Sequence, residues 1–139
     1  MPVPSEYQRA SLDFERFMVD ARDAAGLATT NMAWNMVVGV LHTFRRRLSV
    51  AEALRFAQVL PPVLRAIFVE DWDAGETQLV FGDRAAMTCE VQALRAAHNF
   101  SPDTAIHDVA QALRRHVDEA EFERVLATLP AGARDYWAV

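Results

Sequence analysis

Between Leu12 and Ala25 the apolar side chains fall at Phe14, Phe17, Met18, Ala21 and Ala25. Spacings of three and four lay one stripe along a helix. Gly26 can end it, because glycine accepts the left-handed backbone that closes a helix C-terminus. Thr29, Thr30 and Asn31 offer caps for a second helix. Its inward stripe is Trp34, Val37, Val38, Leu41 and Phe44, extended by Leu48. Ser49-Val50-Ala51-Glu52 then reads as a capping box, in which the serine accepts from the third backbone N–H and the glutamate reaches back to the serine N–H. A short helix follows to about Leu60. Pro61-Pro62 breaks it and starts the next helix, since proline is tolerated in a first turn. Val63, Leu64, Ile67 and Phe68 carry that helix towards Trp72.

Residues 72–82 interrupt the pattern. Gln78-Leu79-Val80-Phe81 is strand-like in composition, but a lone four-residue strand lacks a partner, so an extended loop is expected. Helical spacing resumes after Asp83, with Ala86, Met87, Val91 and Leu94 on one face. Ser101-Pro102 reads as a cap followed by proline at the first helical position. Ile106, Val109, Ala110 and Leu113 form the last long stripe.

The chain also repeats itself. At an offset of 69 residues, Val40 falls on Val109, Arg45-Arg46 on Arg114-Arg115 and Ala51-Glu52 on Ala120-Glu121. Arg55 falls on Arg124, Leu60-Pro61 on Leu129-Pro130 and Arg65 on Arg134. That makes nine identities in 29 positions, where composition alone gives roughly two. Asp118-Glu119-Ala120-Glu121 is an aspartate version of the Ser49 box. The expected fold is therefore all-α: one domain over residues 1–139, of about seven to eight helices. Two similar halves, about 12–68 and 81–137, would be joined by the loop 72–82 and related by an approximate two-fold axis. Neither half has enough surface to bury alone.

Length and composition agree with one globular domain: 139 residues, 52% hydrophobic and 24% charged. All 14 basic residues are arginine, and 19 acids leave a net charge of −5. A net acidic chain argues against general nucleic-acid binding, whose affinity rests on positive surface. Cys89 is the only cysteine, which excludes an internal disulfide and fits a reducing, cytoplasmic setting. The N-terminal residues do not read as a secretory signal. The most apolar stretch, Met32 to Leu41, is about ten residues long and contains Asn35, against the ~20 a membrane span needs.

The phrase Leu-x-x-Phe-Arg-Arg-Arg-Leu-Ser-Val-x-Glu-Ala, the later Gln-Val-Leu-Pro-Pro-Val-Leu-Arg-Ala-Ile-Phe and the terminal Leu-Pro-Ala-Gly-Ala-Arg-Asp-Tyr-Trp resemble a bacterial family, domain of unknown function 2267. Its signature residues here are Arg45, Leu48, Glu52, Leu60, Pro61, Leu64, Arg65 and Trp72, echoed by Leu129, Pro130 and Trp137. The resemblance runs from about Phe14 to Trp137. It implies an all-helical cytoplasmic domain and brings no activity or catalytic residue.

Candidate chemistry is sparse. Arg45-Arg46-Arg47 and Arg114-Arg115 could contact phosphate, yet they sit at helix ends, where cations offset the C-terminal dipole. Glu52 with Arg65, and Glu121 with Arg134, could be acid–base pairs, but capping accounts for both glutamates. His42, His98, His107 and His116 invite a metal reading. Asp103 and His107 are four apart and would share a helix face, but two ligands make no site. Cys89, beside Glu90, reads as a buried, inert thiol. Trp34, Trp72 and Trp137 read as core anchors. Glu70, Asp71 and Asp73 form an acidic segment in the longest loop, either a solvated connector or a docking surface for a basic partner.

These observations favour a non-enzymatic interaction or regulatory module, with no cofactor, no metal and no membrane. A protein partner is possible, nucleic acid is disfavoured, and the state is monomer or homodimer. The alternatives are a small-molecule binder or enzyme with a pocket between the halves, and nucleic-acid binding through the two arginine clusters.

Overall fold

The computed structural model describes residues 2–139. Among them are nine α-helices and no strand: α1 Ser5–Gln8, α2 Ala10–Ala24, α3 Thr30–Arg45, α4 Val50–Ala57, α5 Pro62–Val69, α6 Arg84–Ala93, α7 Ala105–Arg114, α8 Glu119–Leu126 and α9 Gly132–Tyr136. A single 3₁₀ turn, Ala96–His98, follows α6. The all-α expectation holds. The count exceeds the expected seven to eight because α1 precedes the first periodic stripe.

Helix α3 is the axle. From Ala33 onward every residue but Trp34 is buried, and α2, α5, α6 and α7 all pack on it. A helix surrounded on all sides must be apolar all round, which explains the run Met36 to Leu41. Gly39 lies where α6 crosses: a Cβ there would stand 3.0 Å from both Val91 Cγ1 and the Val91 carbonyl oxygen. Helix α2 ends as expected. Gly26, at φ +67°, turns the chain, and Gly26 and Leu27 N–H donate back to the Asp23 and Arg22 carbonyls at 3.1 and 2.9 Å.

Aromatic rings from both ends of the chain share one core. Phe44 lies 4.7 Å from Phe56 and 5.3 Å from Trp137, centroid to centroid, and Phe56 stacks on Trp137 at 5.6 Å. Phe122 closes the cluster against Trp137 at 6.0 Å. The buried Tyr136 hydroxyl donates to the Val40 carbonyl at 2.6 Å, and burial pushes its pKa up.

The 69-residue offset reappears in the elements. Helices α4 and α8 coincide at both ends, and the ends of α2 and α3 fall on those of α6 and α7. Leu60 and Leu129 are both buried. Arg45 donates to the Phe68 carbonyl at 2.8 Å, and Arg114 to the offset-equivalent Trp137 carbonyl at 2.9 Å. The Leu-Pro turns diverge, however. Arg65 donates to the Ala57 and Leu60 carbonyls at 3.1 and 3.0 Å, whereas Arg134 is exposed and faces Glu123 at 3.6 Å.

Several expectations are corrected. The Ser49–Glu52 box closes in both directions. In its counterpart Asp118 accepts from Glu121 N–H at 3.0 Å, but the exposed Glu121 makes no return bond. Two carboxylates repel where a hydroxyl and a carboxylate do not. Helix α7 starts at Ala105, not at Pro102, because Ser101 is engaged by Asn99 and Asp103 accepts from Gln92 at 3.0 Å. Asp103 and His107 therefore share no helix. Cys89 is exposed, not buried. Trp137 alone of the three tryptophans is a core anchor. Trp72 is half-buried and Trp34 is 39% exposed. Ala86 also faces outward, and Leu94 is half-buried.

Candidate functional site

The arginine runs are drawn inward. Arg45, the last residue of α3, is buried and donates to the carbonyls of Phe68 and Glu70, each at 2.8 Å. Its guanidinium also lies over the Trp72 ring at 5.5 Å. Burial pulls its pKa down, while Glu76 and Asp71 pull it up. Glu90 of α6 bridges the other two, accepting from Arg46 at 3.0 Å and from the buried Arg47 at 2.8 Å. Arg47 also donates to the Thr43 carbonyl at 2.8 Å. In the second run Arg114 meets the Trp137 carbonyl, Glu119 and Glu123, and lies over Phe122 at 5.1 Å. Arg115 stays largely exposed, with Asp20 at 3.8 Å. Arg45, Arg47 and Arg114 thus close helix ends, as cations do at C-terminal dipoles, while Arg115 keeps most of its side chain at the surface.

Two surface hollows flank Trp34. The first is an apolar groove of about 610 Å³ between α2 and the start of α3. Phe14, Met18 and Val19 form one wall, Thr30, Asn31 and Trp34 the other, and Glu15 is its single charged lining residue. Trp34 meets the Phe14 ring edge-on at 6.2 Å. Leu12 and Val19, two turns apart on α2, are 45% and 37% exposed and carry the apolar surface into an adjoining hollow beside His116. The His116 ring is held there by Asp20 at 2.6 Å.

The second hollow is a polar cleft of about 370 Å³ on the other side of Trp34. Its floor is one stripe of α3, running from Asn35 through Val38 and His42 to Arg45, with Arg46 just past the helix end. The loop after α5 contributes Glu70, Asp71 and Glu76, and the turn after α6 contributes Leu94 and Arg95. His42 Nε2 donates to the Ile67 carbonyl at 2.8 Å. Burial, and to a lesser degree Arg45 and Arg46, hold its pKa below the usual histidine range, against the pull of that carbonyl. The ring is therefore neutral at pH 7 and its Nδ1 is an acceptor. Asn35 donates to the His98 carbonyl at 2.9 Å.

Backbone strain collects at this cleft. Asp71 (φ 52°) and Arg95 (φ 48°) are the two non-glycine residues with left-handed backbone among those described. Such residues persist only where their surroundings hold them. Asn99 holds Arg95: its amide donates to the Val91 and Leu94 carbonyls, both at 2.8 Å, and so caps the end of α6.

Of the residues anticipated from sequence, the cleft gathers Arg45, Arg46, Glu70 and Asp71. Asp73 lies outside it and accepts from Gly75 N–H at 2.9 Å. Arg114 and Arg115 lie elsewhere. Asn35, Trp34 and Arg95 were not anticipated as site residues. Asn35 carried a signal, being the polar break in the most apolar stretch of the chain.

The model of one protein family, described as an uncharacterized conserved protein (DUF2267), matches residues 14–136. No curated protein matches the chain. Among the described residues no helix is long and apolar enough to cross a membrane.

Proposed function

The chain belongs to the DUF2267 family, and we propose that it is a non-enzymatic interaction module whose working surface is the groove between α2 and α3. One observation carries the reading: Trp34, on the most buried helix of the fold, stands 39% exposed at the edge of an apolar groove. Tryptophan at the surface is costly in water and is the residue type most enriched at the energetic centres of interfaces. Leu12 and Val19 continue the surface along α2, beyond the scatter of single apolar residues expected on a monomer. A partner helix that lays its apolar stripe into the groove fits this shape. Glu15 in the lining and the net charge of −5 favour a basic flank on that helix. We place the module in the cytoplasm, a setting supported by its single, exposed cysteine.

The test starts with capture of binding proteins from the source cell and mapping of the bound segment. That segment is then titrated as a synthetic peptide against the wild type, Val19→Glu and Leu54→Glu. Leu54 is an exposed leucine of α4 outside the groove. The expected result is a basic amphipathic helix whose affinity falls at least tenfold, about 1.4 kcal/mol, with Val19→Glu and is unchanged with Leu54→Glu. A segment that binds all three chains equally refutes the groove as the working surface.

A further inference from the structure

The outer wall of the apolar groove is itself a ridge. Arg9, which precedes α2, and Leu12, Arg16 and Val19 within it follow one another at spacings of three and four, and all four are exposed. Leu12 and Arg16 line the hollow beside His116, whereas Glu15 and Val19 line both that hollow and the groove. Among the described residues, the ion pairs of α2 are those of Arg22 and Asp20. Glu15 and Arg16, both exposed, take part in none of them. One helix face thus carries two apolar side chains, and between them an acid and a base that nothing in the chain neutralises.

We infer that the occupant of the groove is a second copy of this chain, which lays its own α2 ridge there, antiparallel to the first, about a two-fold axis. The inference rests on the groove being the working surface and names its partner. The axis crosses α2 midway between Glu15 and Arg16. In that register Leu12 of each copy packs against the partner's Val19, and Glu15 of each meets the partner's Arg16, since both pairs are symmetric about the same point of the helix. Leu12 and Val19 are seven residues apart, about 10 Å along the axis, so the two ion pairs lie between the two apolar contacts. A two-fold interface makes every contact twice. Trp34 on the α3 wall gives the inserted ridge an aromatic face to rest on.

Charge selects the antiparallel register. A parallel pair sets Glu15 opposite the partner's Glu15 and Arg16 opposite the partner's Arg16, and like charges across an interface suppress a wrong arrangement. Arg22, which the antiparallel register brings towards the partner's Arg9, is already neutralised by Asp23 at 2.9 Å. Arg9 and Arg16, on either side of Leu12, give the inserted ridge the basic flank that Glu15 favours.

Sedimentation velocity over a concentration series tests the assignment, under reducing conditions that keep the exposed Cys89 from linking copies. The wild type is expected to pass from monomer to dimer, and Val19→Glu to stay monomeric. Glu15→Arg and Arg16→Glu each place like charges at both contacts and should weaken self-association at least tenfold. Mixed in equal amounts, these two variants should form a heterodimer, because each then meets the opposite charge on the other. The double variant, Glu15→Arg with Arg16→Glu, should dimerise like the wild type. At concentrations where all are monomers, every variant should keep the wild-type melting temperature, which separates lost association from lost fold. A wild type that stays monomeric at every concentration overturns the proposal. So does a dimer that survives Val19→Glu, or a pair of charge variants that do not rescue each other. A monomeric wild type whose groove still takes up a foreign helix, and loses it with Val19→Glu, removes the second copy and leaves the groove as the working surface.

Discussion

Gly39→Ala sets two known effects against each other at one atom. In a helix interior alanine is favoured over glycine by about 0.8–1.0 kcal/mol, so propensity alone predicts a stabilised protein. The added Cβ, however, would meet Val91 Cγ1 and the Val91 carbonyl oxygen at 3.0 Å and Val91 Cα at 3.4 Å. Rotating the Val91 side chain relieves only the first contact. The carbonyl cannot retreat freely, because it accepts from Asn99 Nδ2 at 2.8 Å and from Leu94 N–H at 3.3 Å. Overpacking of this kind costs about 1–3 kcal/mol. The balance is a net destabilisation of about 1 kcal/mol, with α6 pushed outward and the Arg95 turn carried with it. Urea unfolding followed by tryptophan fluorescence measures it, with an unchanged m-value expected. Gly82→Ala is the control, since nothing lies within 4 Å of its added Cβ. It should be neutral or stabilising through the unfolded chain. If Gly39→Ala is as stable as the wild type or more so, α6 does not crowd α3 and the account of the cleft wall fails.

Arg45→Ala should cost about 2–4 kcal/mol, because it removes charge-assisted bonds to two carbonyls and leaves that of Phe68 buried without a partner. Arg115→Ala, whose side chain is 63% exposed, should stay within about 0.5 kcal/mol by thermal or urea unfolding. Glu52→Ala opens a closed capping box and should cost about 0.5–2 kcal/mol, whereas Glu121→Ala, which breaks no return bond, should cost about 0.5 kcal/mol or less. His42 is held neutral, with its folded pKa below the unfolded value of 6.5. The unfolded chain therefore takes up a proton first as pH falls. The histidine's contribution is intact above pH 6.5 and is lost progressively below it, until the folded pKa is passed. Stability measured from pH 7.5 down to 5 should fall more steeply for the wild type than for His42→Gln; parallel curves would contradict the burial argument.

The elements were legible where local chemistry decides them. Ser49 and Glu52 close their own box within four residues, Pro62 starts α5, and Gly26 ends α2. Of the 69-residue offset, the bounds of α4 and α8 keep the register that the sequence shows. Less could be read where the partner lies far along the chain. Arg45 and Arg47 show only charge in sequence. Their burial depends on carbonyls of α5 and a carboxylate of α6. Trp34 fits the apolar stripe of α3, and periodicity alone does not distinguish a ring in the core from one at the edge of a groove. Pro102 resembles a helix start, but Asn99 and Gln92 hold the neighbouring residues in a turn and delay α7 to Ala105. The clasp of Asn99 on α6, which positions Arg95, leaves no periodic trace.

Photo-crosslinking in the source cell tests the interaction reading most directly. A benzophenone side chain in place of Val19 points its reactive carbonyl at whatever lies in the groove, and the same side chain in place of Leu54 reports background. The account predicts a discrete adduct at position 19, absent at position 54, whose crosslinked peptide is a basic amphipathic helix. No adduct at position 19, or the same adducts at both positions, would contradict it.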